Sequence, residues 1–495
     1  MIISSYNSLK TRYLKSLSYF LGSLSFFFLC LNGIAQSLEK PNILFIISDD
    51  LTATAVGAYG NPVVKTPNID QLAKESTVFT RAYTQYPVCG PSRASFMFGY
   101  YPNATQTYGY VSGRENVGDG RPSIAELFKK NGYYTARVSK IYHMGVPGDI
   151  EKGSDGQDDP ASWTEKFNSP GPEWKAYGEA ELVQNNPDGS IERKGGNVMT
   201  IVKASGDDLV HSDGKTAEKA SELIREHKDK PFFLGVGFVR PHVPFVAPAT
   251  YFSPFPYEGM KLPEQVENDW NDIPERGINY VTSVNAEMND VQKQKAIAAY
   301  YASVSYMDAQ VGKVLKTLEE EGLSDKTIVI FTSDHGFHLD EHEFWMKVSL
   351  HEESVKVPMM IKVPGKKPAI TNSFTELLDL YPTLAELAGL DYPEAIQGKS
   401  LLPILDNPST ILRDFAFSVS QGGKSFLIRT DQYAFIQYDE DAGSGIEIYD
   451  MKIDPKQFHN LSDEAAYQNV VKEMQAKLAK KLAEIRTNDL SIQYH

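Results

Sequence analysis

Short apolar runs alternate with stretches of helical periodicity from residue 40 to about residue 390. Ile43-Leu44-Phe45-Ile46-Ile47 is apolar at every position and is closed by Asp49-Asp50. A strand with one wet face alternates apolar and polar, so an unbroken run predicts a central strand covered on both sides. Residues 133–138, 232–238, 327–332 and 357–363 predict further strands, and 68–79 a helix followed by a short strand. Helices are predicted over 124–130, begun by Pro122-Ser123 and stopped by Asn131-Gly132, and over 215–226, 293–321 and 375–388. This alternation predicts an α/β fold with a mostly parallel sheet. Residues 145–197 are polar and rich in Gly, Pro and Asp, and predict a long excursion serving as a lid or cleft wall. Residues 246–285 are Pro-rich and predict irregular structure. After residue 400 the pattern shifts to short strands at 414–419, 424–429, 433–438 and 447–449, with Gly422-Gly423 suited to a hairpin turn. An amphipathic helix over 464–486 follows, giving a small antiparallel sheet packed with a helix.

The amino terminus departs from both patterns. Lys10, Arg12 and Lys15 precede an apolar run from Leu17 to Leu31, and Gly33-Ile34-Ala35 places small residues before a cut at Gln36. This predicts a secretory signal peptide over 1–35, hence a secreted or periplasmic protein with no stable membrane insertion after cleavage. Leu29 before Cys30 is too large for a lipoprotein site. The remainder divides into a domain over 36–400 and a C-terminal α+β subdomain over 401–495.

Composition removes some functions. Asp and Glu total 64 against 49 Lys and Arg, a net charge of −15, so no basic surface for nucleic acid is expected. A local basic pocket for an anionic substrate is compatible with that field. The chain has two cysteines, and removal of the leader leaves Cys89 alone. A lone thiol in an oxidising compartment is buried and inert, or reactive, or no longer a cysteine.

Chemistry-bearing residues cluster after the predicted strands. Asp49-Asp50 and Asp334-His335 each follow one, and adjacent carboxylates in low dielectric repel each other unless protonated or neutralised by a cation. Three carboxylates and little sulfur favour a hard ion such as calcium or magnesium. Lys140 and His143 follow another strand, Arg240 and His242 a third, and Lys347 lies among His338, His342 and His351. His338 and His342 have helix-face zinc spacing but lack a His-Glu-x-x-His order, and are assigned structural or outer-pocket roles with His351. His459 and His495 are expected at the surface. If Cys89 opens a helix, Arg93 falls one turn later on the same face. A cation with Lys, Arg and His groups suits a tetrahedral oxyanion, and residue types alone do not separate phosphate from sulfate.

Cys89-Gly90-Pro91-Ser92-Arg93 resembles the signature of type I sulfatases, whose cysteine is oxidised to formylglycine. The resemblance runs from about 40 to 485 through Pro41-Asn42 to Asp49-Asp50, Thr66-Pro67-Asn68-Ile69-Asp70, Ser139-Lys140-Ile141-Tyr142-His143, Pro241-His242, Ser333-Asp334-His335-Gly336, Lys347 and Glu447-Ile448-Tyr449-Asp450. The Asp-His pair and the Gly235–His242 string with Val243-Pro244-Phe245 resemble the iduronate-2-sulfatase-like branch.

The resemblance implies an alkaline-phosphatase-like α/β fold with helices on both faces of the sheet, and hydrolysis of sulfate esters. It implies one calcium held by Asp49, Asp50, Asp334, His335 and residue 89, and maturation of Cys89 by a formylglycine-generating or anaerobic sulfatase-maturating enzyme. The hydrated aldehyde attacks sulfur, activated by the metal and Arg93. Lys140 and Lys347 hold sulfate oxygens, and His242 protonates the leaving oxygen with help from Lys347. His143 takes the proton that lets sulfate leave. The expected substrate is a sulfated oligosaccharide, attacked from its end, such as a 2-sulfated uronate or an algal glycan. Tyr100, Tyr101, Tyr108, Tyr110, Arg114, Arg240, His338 and Trp345 are expected to border the sugar. The rivals are a phosphodiesterase or phosphonate hydrolase of the same layout and a non-catalytic glycan binder.

Overall fold

The computed structural model describes residues 40–183 and 198–490. The leader over 1–35, His495 and residues 184–197 of the polar excursion lie outside the described residues. Among those described, no helix is long and apolar enough to cross a membrane.

Strand β1 (Asn42–Asp49) is buried along its whole length. Its side chains alternate: Leu44 and Ile46 enter one hydrophobic cluster, Ile43, Phe45 and Ile47 another. Two buried faces explain why the run is apolar throughout. Eight further strands complete the sheet: β2 (Thr77–Tyr83), β3 (Tyr134–Ser139), β4 (Glu165–Phe167), β5 (Phe232–Pro241), β6 (Thr327–Ser333), β7 (Lys356–Lys362), β8 (Ala369–Thr371) and β9 (Thr375–Glu376). Their order is β8-β2-β7-β6-β1-β5-β3-β4, with β9 beside β2. The run β6-β1-β5-β3-β4 is parallel, and β7 alone is antiparallel to both neighbours. A parallel return needs a crossover. Between β6 and β7 the chain makes no long helix and instead forms a loop that carries Lys347.

Helices cover both faces. Ser212–Glu226 and Asp290–Glu320 pack on one, through residues such as Ala217, Leu223, Ala296 and Met307. The longer helix starts at a capping box of Asn289 and Gln292, which satisfies two of its terminal amides. On the other face lie Cys89–Phe98, Ile124–Lys130 and Leu380–Leu387. Ser123 caps the second of these by accepting from the Glu126 amide.

The C-terminal strands β10 (Phe415–Ser420), β11 (Ser425–Thr430), β12 (Tyr433–Tyr438) and β13 (Ile446–Asp450) form an antiparallel meander. The helix Gln468–Arg486 packs on it through Val471, Met474, Leu478 and Leu482, in the same cluster as Phe417 and Phe426. This is the expected α/β fold with an antiparallel appendage.

Two expectations need correction. The helix expected over 375–388 starts at Leu380, because Thr375–Glu376 is extended to pair with Ala82 and Tyr83. The excursion is built into sheets: β4 edges the main sheet, and Gly178–Leu182 pairs with Thr200–Ala204, which pairs with Phe245–Pro248.

Candidate active site

Four adjacent parallel strands end at one edge of the sheet. Ser48 of β1 pairs with Ser333 of β6, Asp49 with Pro241 of β5, and Ser139 of β3 with Gly237 of β5. The residues at or just past these ends are Asp49-Asp50, Asp334-His335, His242 and Lys140, placed together as the carboxyl edge of such a sheet dictates. Close approach is built in at Gly237, where a Cβ would lie 2.1 Å from the Lys140 carbonyl oxygen.

Cys89 is the first residue of its helix and faces this edge. Its Sγ lies 3.2 Å from His335 Nε2, 3.6 Å from Lys347 Nζ and 3.8 Å from Asp50 Oδ1. A helix amino terminus favours a thiolate. Here burial, reinforced by the Asp49 and Asp334 charges, pushes the Cys89 thiol well above its ordinary range despite Lys347 and Lys140.

Arg93, one helical turn on, is fully buried. Its Nε donates to Asp334 Oδ2 at 2.9 Å and one terminal nitrogen to Asp49 Oδ1 at 3.0 Å. The other donates to the carbonyls of Lys140 and Ile141. One guanidinium thus joins the ends of β1, β6 and β3. Lys140 Nζ donates to Asp49 Oδ2. Burial raises the Asp49 carboxyl, but Lys140, His242 and Arg93 outweigh it and hold it well below the carboxylate range. Asp50 goes the other way: burial and the like charges of Asp49 and Asp334 raise it in spite of Lys347 and His335.

The donor set fits a divalent cation. Ligand atoms of Asp49, Asp50, Cys89 and His242 lie within 4.8 Å of one another, as do those of Cys89, Asp334 and His335. His335 Nδ1 donates to the Gly336 carbonyl at 2.9 Å, which fixes the tautomer and turns the Nε2 lone pair to the cluster. Three buried carboxylates face three buried cations, Arg93, Lys140 and Lys347. A dication together with an anionic ester therefore enters without leaving a large net charge in low dielectric.

A family model described as Sulfatase matches residues 41–390, and one described as N-sulphoglucosamine sulphohydrolase, C-terminal, matches 340–484. The chain belongs to the sulfatase family. It is 30% identical over 471 residues to a sulfatase of Formosa agariphila, covering 90% of this chain and 88% of that one. It is 34% identical over 424 residues to the iduronate 2-sulfatase of Mus musculus, covering 76% and 74%. A solved phosphonate monoester hydrolase from Silicibacter pomeroyi shares the fold, with a TM-score of 0.73 and 20% identity over 90% of this chain and 95% of that one. The chain is accordingly an enzyme, a sulfatase-type hydrolase with Cys89 beside an Asp/Asp/His ligand cluster.

His242 and His143 lie beside this cluster. His242 Nδ1 donates to the Val243 carbonyl at 2.5 Å, leaving Nε2 3.8 Å from Asp50 Oδ2. Burial, then Lys347 and Lys140, hold it well below the usual imidazole range. His143 is lowered to about 2 by burial and by Lys140, and its buried Nδ1 has no hydrogen-bond partner. The Tyr110 ring stacks on it with centroids 4.2 Å apart. A Cβ on Gly90 would meet the Gly109 carbonyl at 2.6 Å, so the Tyr110 loop lies directly on the start of the Cys89 helix.

Of the residues expected to border the sugar, Tyr110 is half-exposed beside the site and the others are placed differently. Tyr100 and Tyr101 are buried, the latter donating to Glu376. Tyr108 packs against Tyr86, and Arg114 pairs with Asp159 and Glu126. Arg240 turns away to Glu173. Trp345 is buried and donates to Ser283, and His338 is fully buried. His342 Nδ1 pairs with Asp269, and His351 bridges Ser349 and Glu447; among the described residues, the groupings of side chains able to hold a metal include neither His338 nor His342. His459 is exposed. Tyr280, not anticipated, is half-exposed; its hydroxyl lies 3.8 Å from the Met346 sulfur, next to Lys347.

Proposed function

We propose that this protein removes sulfate from the end of a sulfated oligo- or polysaccharide, through formylglycine at residue 89 and one bound calcium ion. The observation that carries this reading is the position of Cys89 Sγ, buried between His335, Lys347 and Asp50. A nucleophile this enclosed is reached by a sulfate ester that projects from its sugar. The 2-sulfated uronates are favoured by the similarity to iduronate 2-sulfatase, with an algal glycan as the alternative.

Asp49, Asp50, Asp334 and His335, with the matured residue 89, would hold the calcium, which supplies charge stabilisation for the sulfate oxygens. The matured residue supplies, as its hydrate, the oxygen that attacks sulfur. Arg93 holds the two carboxylates Asp49 and Asp334 and has a remaining N–H for the nucleophile. Lys140 and Lys347 exchange carboxylate contacts for sulfate oxygens. Burial, then the two lysines, keep His242 neutral; the anionic ester opposes the lysine part, so that His242 Nε2 takes a proton and delivers it to the leaving sugar oxygen, assisted by Lys347. His143, neutral and unpartnered at Nδ1, accepts the proton released as sulfate departs.

We place the leader at 1–35, the catalytic domain at 36–400 and the α+β subdomain at 401–495, with export to the periplasm or beyond and maturation by a formylglycine-forming enzyme. The test is desulfation of a panel of defined oligosaccharides, with matched sulfate and phosphate esters of 4-nitrophenol in parallel. Preference for the phosphate ester would move the protein to the phosphonate or phosphodiester hydrolases.

A further inference from the structure

At the end of β5 and just past it the chain runs Val239-Arg240-Pro241-His242-Val243-Pro244. Two prolines remove backbone donors where a sheet ladder would otherwise hold the segment. Side chains hold several of its remaining polar groups, and the Val239 carbonyl accepts from the His242 amide at 3.0 Å. Asp213, at the start of the helix Ser212–Glu226, accepts from the amides of Val239 and Arg240 through its two oxygens, at 2.8 and 2.9 Å. Ser48 Oγ donates to the Arg240 carbonyl at 2.8 Å. The Arg240 guanidinium folds back and donates to the carbonyls of His242, at 2.9 Å, and Pro244. Its other terminal nitrogen donates to Glu173 Oε2, while Glu173 Oε1 accepts from Ser212 Oγ at 3.2 Å. Glu173, Arg240 and Asp213 are all buried. Glu173 sits at a φ of 47°, a left-handed conformation that costs a side-chain-bearing residue energy and persists only when its surroundings hold it.

We propose that Glu173, Arg240 and Asp213 form a buried charge clamp that positions His242 for proton delivery to the leaving group. The clamp rests on the role given to His242 above. It also gives the polar excursion a function, since Glu173 ties that segment to the catalytic edge. None of the three side chains is a catalytic residue: they act through the backbone on either side of His242. A displacement of about 1 Å there is enough to lose most of the benefit of a proton donor.

The test uses the leaving group as the reporter. The matured, calcium-loaded enzyme and its Glu173→Gln, Asp213→Asn and His242→Gln variants are assayed on aryl sulfates from 4-nitrophenyl to phenyl to 4-methoxyphenyl. A good leaving group needs no proton and a poor one does. The two clamp variants keep the 4-nitrophenyl rate and lose about 10- to 100-fold in kcat/KM on the poorest leaving group, steepening the dependence toward that of His242→Gln. Equal loss on every ester shows a merely structural role and overturns the clamp, as does no loss at all. A His242→Gln slope identical to wild type removes His242 as the acid, and the clamp with it. If Asp213→Asn yields no folded protein by thermal melting, Glu173→Gln decides alone.

Discussion

Lys347 Nζ lies 2.5 and 2.6 Å from the two carboxylate oxygens of Asp50 and 3.6 Å from Cys89 Sγ. The lysine pairs with a carboxylate that calcium would claim and stands where a sulfate oxygen would sit. Burial works against the Lys347 charge, but Asp50, Cys89 and Asp49 raise it well above the ordinary lysine range. Lys347→Ala is expected to lower kcat/KM by about 100-fold or more, the cost of deleting one preorganised donor to a developing oxyanion. Arginine does not restore it, being a planar fork in a site shaped for a point charge. The calcium-induced rise in melting temperature becomes larger in Lys347→Ala, because Asp50 is freed for the ion. A smaller rise than wild type would refute the competition.

Cys89→Ser is expected to keep the fold and abolish turnover, since serine fits the buried space but lacks the second hydroxyl through which the hydrated aldehyde expels sulfate. Thermal melting and sulfate release read the two halves separately. In the wild-type protein from a host able to mature it, the peptide spanning Cys89 is about 18 Da lighter than the thiol form. Full turnover by the serine variant rejects the nucleophile.

Much of this site was legible in the sequence because parallel strands covered on both faces announce themselves. Each apolar run stops abruptly, and the polar residue at its end is what the sheet edge presents. The pairing of Cys89 with Arg93 was legible because a helix face repeats every turn. What was not legible depends on approach in space. The antiparallel direction of β7 is set by a loop with no crossover helix. Glu376 looks helical in sequence, but the extended pairing with Tyr83 and the capping box with Asp379 delay the helix. Tyr100 and Tyr101 lie in the same aromatic stretch as Tyr110, yet only Tyr110 is half-exposed, and no periodicity in that stretch distinguishes them. Tyr280, Glu173 and Asp213 stand in segments with no motif, and their relation to the site exists only once the chain is folded.

Calcium removal tests the ligand cluster. Burial and two neighbouring carboxylates raise Asp50, so an ion that neutralises them stabilises the folded state by linkage, about 2.7 kcal/mol at 100 times Kd. A chelator should lower the melting temperature and abolish sulfate release, with calcium restoring both and magnesium restoring less. Unchanged melting on exhaustive chelation, in protein shown to have contained metal, argues against the assignment.

His143 gives the pH dependence a sign. Its folded value of about 2 lies below the unfolded value of 6.5, lowered by burial and Lys140. Between those limits the unfolded chain binds the extra proton, so this contribution is complete above pH 6.5 and is lost as pH falls. By pH 5 the loss is up to about 2 kcal/mol. His143→Gln removes that part of the acid sensitivity, and its melting temperature should fall less than wild type between pH 7.5 and pH 5. An equal or steeper fall shows that His143 carries no such proton linkage.

Tyr110 and Tyr280 set the last expectation. The catalytic side chains between them are buried, whereas both rings are half-exposed, one stacked on His143 and the other beside Met346 and Lys347. A pyranose carrying the sulfate is expected to meet these two rings, since aromatic faces bind the apolar C–H face of a sugar. Tyr280→Ala is expected to raise KM for a sulfated oligosaccharide about 10-fold, with a smaller effect on 4-nitrophenyl sulfate, whose leaving group is one ring in size. Tyr110→Ala should raise KM similarly and also lower kcat, because it uncovers His143. An identical change on both substrates in Tyr280→Ala would place the ring in the support of Lys347 instead of at the sugar.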